Sequence, residues 1–267
     1  MVSRVDIVVQ PIVLRLSLHQ GTPIYHLTSD PFTQLDGAEE ALGLSPRSGA
    51  RFGELAFIPI CHTVLVRGNH TIVVDPGNLH LGISGVLRVG LRSVGVAAED
   101  VDVVVATHAH HDHLSAVAVF RGRPLVIGAA DLGYLAQAFW PAYAEAFTTG
   151  VACEVRTVGA EPLELEPGVV VIPTPGHTPG SVSVLVEVGT ERIAIIGDCA
   201  MTQDEYETRH LSHWYTEEQL TAINASLDRI AAWRPTIVVP GHDRSFRPGG
   251  RAFDARSRTW KAHGSTR

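Results

Sequence analysis

The chain has 267 residues, of which 45% are hydrophobic and 18% are charged, so it can bury a sizeable core and is not disordered. Its 21 basic and 28 acidic side chains give a net charge of −7, which argues against nucleic acid as a partner, since phosphate backbones are bound by clustered Lys and Arg. Three scattered cysteines suit a reducing compartment rather than a disulfide framework. With neither a signal segment nor an apolar stretch of about 18 residues, we expect a cytoplasmic protein without a membrane span.

Short runs rich in β-branched residues recur along the chain and predict strands. Several of these runs are almost wholly apolar, which is typical of strands that are covered on both faces. In chain order the predicted strands are Val5–Val13, Ala56–Val66, Thr71–Val74, Val101–Ala106, Leu125–Ile127, Val169–Ile172, Val182–Val188, Ile193–Ile196 and Ile237–Val239.

Helical patterns lie between some of these strands. One apolar repeat at helical spacing consists of Leu87, Leu91 and Val94. The clearest helix is predicted over Glu217–Trp233, where Thr216 and Gln219 have the spacing of a capping box. No linker separates two domains, so we expect residues 1–267 to form one α/β domain of mixed sheets with helices outside, and the basic segment 247–267 to be a loosely held tail.

The chain contains 14 histidines, and several follow a predicted strand directly. One predicted strand, Val101–Ala106, is followed two residues later by the segment His108-Ala-His110-His111-Asp112-His113. In extended chain His108 and His110 point to the same side, whereas the adjacent Asp112 and His113 diverge. These side chains can therefore serve two neighbouring metal ions, and imidazole with carboxylate suits zinc, manganese or iron.

Three further strand ends repeat the pattern of an apolar strand, a glycine and a metal-binding side chain. These glycine pairs are Gly176-His177, Gly197-Asp198 and Gly241-His242. Glycine allows a sharp turn that brings the next side chain to the rim of a sheet. Four ligands on one loop cannot complete the coordination spheres of two ions, and these three strand ends supply further candidates. The four strand ends together indicate a metal site.

This pattern resembles the metal signature of the metallo-β-lactamase superfamily, in which HxHxDH is followed by a lone His, an Asp and a His. The resemblance covers the chain from about Ala56 to Phe246. It implies an αβ/βα four-layer sandwich, with two mixed sheets packed together, helices on both outer faces and the metals at one edge.

The resemblance also implies a role for each matching residue. His108, His110 and His177 would hold one metal ion, and Asp112, His113 and His242 would hold the other. Asp198 would bridge the two ions, and Asp75, which follows an early strand, would support the metal loop. His111 occupies the variable position of the motif and is expected not to be a ligand.

Two divalent ions about 3.5–4 Å apart can share a bridging hydroxide at neutral pH and polarise a carbonyl or phosphoryl oxygen. We therefore expect a dinuclear hydrolase without a covalent intermediate, with Zn²⁺ favoured over iron or manganese. Asp112, both ligand and neighbour of the nucleophile, is the candidate for handling the proton.

A small-molecule carbonyl ester is the expected substrate, with a lactone ranked first. The segments around His177 and His242 are similar to quorum-quenching lactonases, although Met201 stands where those enzymes place a tyrosine. The alternatives are a glyoxalase II-like thioesterase, for which a basic C-terminal patch would be typical, a phosphodiesterase or nuclease, and a noncatalytic scaffold. The sequence leaves the oligomeric state open, and a homo-oligomer is compatible with it.

Two aromatic stretches of little regular pattern, one around Trp140 and one over Tyr206–Tyr215, are expected to line the pocket. Core packing or a dimer contact is the alternative for both stretches. The candidate pocket residues are Trp140, Cys199, Met201, Tyr206, His210 and Tyr215.

Overall fold

Two β-sheets that pack face to face form the centre of the structure. The computed structural model describes residues 1–9, 13–19, 22–28, 61–77, 85–138, 141–211, 215–250, 252–253 and 259–262. In chain order its strands are β1 (Arg4–Val9), β2 (Val13–His19), β3 (Thr22–Thr28), β4 (Thr63–Arg67), β5 (Thr71–Val74), β6 (Val103–Val105), β7 (Leu125–Gly128), β8 (Val155–Val158), β9 (Leu163–Glu166), β10 (Val169–Pro173), β11 (Val182–Val188), β12 (Glu191–Gly197), β13 (Ile237–Pro240) and β14 (Thr259–Lys261).

Both sheets are mixed. The first has the strand order β14-β1-β4-β5-β6-β7-β8, in which β5 to β8 run parallel and the other neighbours antiparallel. The second has the order β13-β12-β11-β10-β9, with only β12 and β13 parallel. Strands β2 and β3 pair with each other as a separate hairpin.

Helices cover the outer faces of both sheets. In chain order they are α1 (Gly85–Ser93), α2 (His111–Leu114), α3 (Ala129–Ala138), α4 (Pro141–Phe147), α5 (Gln203–Thr208) and α6 (Glu217–Ala232). Within the described ranges, no helix combines the length and the apolar character needed to cross a bilayer.

The strands are apolar on both faces because alternate side chains enter two different apolar clusters. Val64 and Val66 of β4 point into a cluster that also contains Val184 and Ile195 of the second sheet, so this cluster lies between the sheets. Leu65 points the other way, into a cluster with the helices outside the first sheet. A third cluster packs α6 against the outside of the second sheet. The four-layer α/β sandwich expected from the sequence is thereby confirmed.

Most predicted elements are present with small shifts at their ends. The strands Thr71–Val74 and Val182–Val188 have the predicted bounds, and α6 begins at Glu217 and ends at Ala232, with Trp233 as its C-cap. The first predicted strand is shorter and ends at Val9. The prediction over Ala56–Ile60 lies outside the described residues. Sequence analysis missed β2, β3, β8, β9 and β14.

The C-terminal segment is partly held, so the expectation of a loose tail over 247–267 is wrong for residues 259–261. These residues form β14, which pairs with Arg4–Asp6 of β1. Thr259 Oγ1 also donates a hydrogen bond to the buried carboxylate of Asp6 at 2.7 Å. An edge strand such as β1 leaves a row of backbone groups available for pairing, and a tail of low apolar content can use them.

Helix α6 begins with the predicted capping box, because Thr216 Oγ1 accepts from Gln219 N–H at 3.2 Å and Gln219 Oε1 accepts from Thr216 N–H at 3.1 Å. We expect Thr216→Ala to lower the free energy of unfolding by about 1 kcal/mol, the usual effect of losing an N-cap. Urea denaturation measures the change. Thr221→Ala removes the same atoms within the helix and should stay within about 0.5 kcal/mol of wild type. Equal losses in both variants would contradict a capping role for Thr216.

Candidate metal centre

The candidate ligands meet at one edge of the sandwich, where several strands end. His108 and His110 follow β6 of the first sheet, and Asp112 and His113 lie in the short helix α2. Loops of the second sheet bring the others, because His177 follows β10, Asp198 follows β12 and His242 follows β13. Backbone pairing joins the sheets here, since Val182 N–H donates to Thr107 O at 2.7 Å.

The first group consists of His108, His110, His177 and Asp198. His110 Nδ1 lies 3.1 Å from His108 Nε2 and 2.9 Å from His177 Nε2. Asp198 Oδ2 lies 3.3 Å from His177 Nε2 and 3.8 Å from His108 Nε2. One nitrogen of each ring and one carboxylate oxygen therefore converge on a common point.

The second group consists of Asp112, His113 and His242. His242 Nε2 lies 3.3 Å from Asp112 Oδ2 and 3.4 Å from His113 Nε2. In each of the two groups, the candidate ligand atoms all lie within 4.8 Å of one another.

Asp198 lies between the two groups and contacts both. Its Oδ2, near the first group, is also 3.4 Å from His242 Nε2, and its Oδ1 is 3.3 Å from His113 Nε2. His111, by contrast, leaves 44% of its side chain exposed, and its Nδ1 lies 4.0 Å from Asp112 Oδ1. The structure thus brings together all seven residues implied by the sequence and leaves the variable histidine outside.

Asp75 fixes the loop that carries most of these side chains. Its Oδ1 accepts from Thr107 N–H at 2.7 Å, and its Oδ2 accepts from Thr107 Oγ1 at 2.7 Å and from His113 Nδ1 at 2.8 Å. Its backbone has a φ of 53°, an uncommon value that Asp adopts more readily than most residues. With Nδ1 of His113 donating to Asp75, Nε2 faces the second group and offers its lone pair there when the ring is neutral.

Two tyrosines contact the far nitrogens of the first group. Tyr134 Oη lies 3.0 Å from His110 Nε2, and Tyr215 Oη lies 2.6 Å from His177 Nδ1. The opposite nitrogens, His110 Nδ1 and His177 Nε2, face each other at the centre of the first group. Tyr215 was expected near the site, whereas Tyr134 was missed because a tyrosine within a helix carries no distinguishing sequence signal.

Asp131 was also missed, although it touches both ligand-bearing loops of the first group. It accepts hydrogen bonds from Ala109 N–H, Thr178 Oγ1 and Gly180 N–H at 2.7–2.9 Å. The sequence does contain a signal for it, because Asp131 comes three residues after Gly128, the glycine that ends the apolar strand β7.

Glycine is required before two of the candidate ligands. Gly197 has a φ of 49°, and a Cβ there would lie 2.3 Å from Thr107 Oγ1. At Gly241 a Cβ would lie 1.9 Å from Asp198 Oδ1. The glycines thus permit both the turn and the close approach of the two sheets.

Burial keeps three of the imidazoles neutral. It lowers the pKa of His177 to about 3, holds the pKa of His108 well below its usual range and lowers that of His110. Neutral imidazole is the form that binds a metal. Burial also lowers the pKa of His113, but Cys61 and Asp198 lead the neighbours that outweigh it and raise this pKa well above its usual range. A positive charge is therefore stabilised among these carboxylates.

The donor set fits a pair of divalent cations. His110 Nδ1 faces two other ring nitrogens, and because this atom has either one N–H or one lone pair, it cannot make a good hydrogen bond to both. Ligands about 2.0–2.1 Å from a tetrahedral zinc ion lie about 3.3 Å apart, which is close to the spacings within both groups. The buried Asp198 Oδ1 accepts no hydrogen bond of good geometry in the described part of the chain.

Four of the six candidate pocket residues belong to one buried cluster, and of these Tyr215 also contacts the candidate ligand His177 through its Oη. Cys199, Met201 and Tyr206 are buried in the cluster between α6 and the second sheet, and Tyr206 packs edge-on against Phe246. These side chains therefore do not form the surface of the site. His210 is partly exposed beyond α5, and Trp140 lies outside the described residues.

Comparisons with known proteins agree with this geometry. A model of the metallo-β-lactamase superfamily matches residues 59–242, and the chain therefore belongs to this superfamily. The two groups of His and Asp side chains lie within the matched residues and could each hold a divalent ion.

An N-acyl homoserine lactonase from Bacillus cereus is 25% identical over 168 residues, covering 61% of this chain and 64% of that protein. Metallo-beta-lactamase domain-containing protein 1 from Mus musculus is 32% identical over 187 residues, covering 68% of this chain and 62% of that protein. The matched part thus spans just under two thirds of these relatives. An N-acyl homoserine lactone hydrolase, solved with N-hexanoyl-L-homoserine at its catalytic metal centre, shares the fold at 16% identity and a TM-score of 0.61, covering 91% of this chain and 94% of that chain.

The contacts of Asp75 predict a stability effect that is independent of any metal. Asp75→Ala leaves three buried donors without an acceptor, so we expect the free energy of unfolding of metal-free protein to fall by about 3 kcal/mol or more. Urea denaturation measures it. Asp102→Ala is the matched control, because Asp102 also accepts a backbone N–H, from Thr71, but at an exposed position where water can replace it. A loss at Asp75 no larger than the loss at Asp102 would contradict this role.

Proposed function

We propose that the chain is a hydrolase that works with two divalent metal ions, each held by one of the two groups of side chains. The observation that carries the proposal is the position of Asp198, whose two oxygens contact both groups at the edge where the strands end. A pair of ions in these places, when bound, lowers the pKa of water and polarises a carbonyl or phosphoryl oxygen.

Each group of residues has a stated task in this proposal. His108, His110 and His177 would hold one ion, whereas Asp112, His113 and His242 would hold the other. Asp198, which contacts both groups, would offset the mutual repulsion of the two cations with its charge. Zn²⁺ is favoured because the ligands are mainly imidazoles at tetrahedral spacing, and iron and manganese accept the same donors.

Asp112 is proposed to accept the proton of the attacking water. Its carboxylate is the most exposed of the acidic groups here, with 10% of the side chain accessible compared with 5% for Asp198. Its Oδ2 faces His242 while its Oδ1 lies on the outer side near His111, so it reaches both the ligands and the open side of the site. A carboxylate in this position can take a proton and later return it to the leaving group.

A carbonyl ester is the proposed substrate class, with a lactone ranked before a thioester. The lactonase relatives support ranking a lactone first. The net charge of −7 supports a small ester over a polyanionic substrate. Met201 cannot donate a hydrogen bond to a substrate and is buried in the core. The phenol of Tyr215, one of the donors expected from the sequence, lies beside His177 and is proposed to take that task.

The metal assignment is tested by paired substitutions in one motif. We expect elemental analysis of purified protein to find two ions per chain, and His110→Ala to lose metal and hydrolytic activity together. His111→Ala is the control and should keep both ions, because its ring lies outside the two groups. A fully active wild-type protein without bound metal, or equal metal loss in both variants, would contradict the assignment.

The substrate class is tested by steady-state kinetics on acyl lactones, acyl thioesters, phosphodiesters and β-lactams with the same metal-loaded preparation. We expect the highest kcat/KM for a lactone, and Tyr215→Phe to lower it by about 10²-fold, as the loss of one such donor does at comparable sites. A kcat/KM for thioesters far above that for every lactone would reverse the ranking. Turnover of phosphodiesters alone would overturn the carbonyl-ester proposal, and metal binding without any turnover would favour a noncatalytic scaffold.

A further inference from the structure

Asp131 is a fully buried carboxylate in the first turn of α3, and three donors surround it. Its Oδ2 accepts from Ala109 N–H at 2.8 Å and from Thr178 Oγ1 at 2.9 Å, and its Oδ1 accepts from Gly180 N–H at 2.7 Å. Ala109 lies between two candidate ligands of the first sheet, whereas Thr178 directly follows the candidate ligand His177 in the second sheet.

These hydrogen bonds join the two loops that carry the three histidines of the first group. His108 and His110 are presented by the loop after β6, and His177 by the loop between β10 and β11. The loop that carries His177 also packs closely against the junction of β7 and α3, since a Cβ on Gly128 would lie 1.7 Å from Gly180 O and a Cβ on Gly180 would lie 2.4 Å from Asp131 N. No larger side chain fits in this contact, which holds Asp131 close to the His177 loop, and the hydrogen bond from Ala109 N–H ties it to the other loop.

We propose that Asp131 is a positioning residue for the first metal ion, which sets the distance between the His108–His110 loop and His177. The inference rests on the metal centre proposed above. None of these three hydrogen bonds comes from the side chain of a candidate ligand. Asp131 therefore acts on the ligands through the loops that carry them. An asparagine has the same shape but only one acceptor oxygen, and its amide group would face a donor.

A second buried carboxylate provides a matched comparison. Glu166 of β9 in the second sheet accepts from Asn69 N–H at 3.2 Å and His70 N–H at 2.8 Å, in the turn between β4 and β5 of the first sheet. It therefore also bridges the sheets through backbone donors. That turn precedes β5, whereas Asp75 follows it, so Glu166 acts at the opposite edge from the metal centre.

The experiment compares Asp131→Asn with Glu166→Gln in the full chain. Metal-free wild type and variants are titrated with Co²⁺, whose visible absorption reports the geometry of its ligands, and the unfolding of each metal-free protein is measured in urea. We expect Asp131→Asn to bind one of its two ions about 10–100-fold more weakly and to change the Co²⁺ spectrum. Glu166→Gln should lower the stability of the metal-free protein while its Co²⁺ affinity and spectrum stay as in wild type.

Thr178→Val covers the case in which Asp131→Asn fails to fold, because it removes a single donor and keeps the shape of the side chain. This variant should bind one of its two ions about tenfold more weakly, at the lower end of the range expected for Asp131→Asn. Wild-type affinity and spectrum in a folded Asp131→Asn or in Thr178→Val would overturn the positioning role alone, as would the same metal loss in Glu166→Gln. A wild-type protein that binds no Co²⁺ would overturn the proposed metal centre and this inference with it.

Discussion

The apolar contact between the two sheets is the constraint on which the metal centre depends. Val64, Val66 and Val105 of the first sheet pack with Val184 and Ile195 of the second, and all of these side chains are buried. This contact fixes the ends of β6, β10, β12 and β13 at one edge of the sandwich. The loop after each of these strands carries at least one candidate ligand, so the positions of the ligands depend on the packing of valines and isoleucines between the sheets.

The polar side chains at that edge are buried, and their hydrogen bonds must compensate for lost hydration. Asp75 and Asp131 do so with three donors each, all of them from the loops that present the ligands. The positive φ of Asp75 is tolerated in this setting because its side chain is held from several directions. Stability and function are therefore coupled here, since a change that frees one carboxylate also frees a loop.

Charge is distributed unevenly between the two groups. The first contains three histidines, and a ring nitrogen of each contacts a hydroxyl group. These hydroxyl groups belong to Thr107, Tyr134 and Tyr215. The second contains Asp112, and its His113 is hydrogen-bonded to the carboxylate of Asp75. A carboxylate makes an imidazole a stronger electron donor than a phenol or alcohol does. The two positions therefore differ in their electrostatic surroundings, although Asp198 contacts both.

The sequence by itself determined those features that depend on neighbouring residues. Apolar runs such as Thr71–Val74 and Val182–Val188 identify buried strands, and the capping box at Thr216 marks the start of α6, because strand burial and helix capping are local. Motif spacing was sufficient to name the seven residues that converge, since each follows a strand end. The short strands β8, β9 and β14 escaped prediction, because their pairing partners lie elsewhere in the chain.

Only the tertiary structure decided which other side chains join the site. Tyr134 lies on a helix that no local pattern connects with His110, and Asp131, although it comes after a strand end, has partners that its neighbours in the sequence do not identify. Packing of α3 against the outside of the first sheet places both side chains at the site. Met201 and Tyr206 do not line the expected pocket, because both side chains pack in the core between α6 and the second sheet. Local sequence specifies which residues can bind or donate, whereas long-range burial decides which way each one faces.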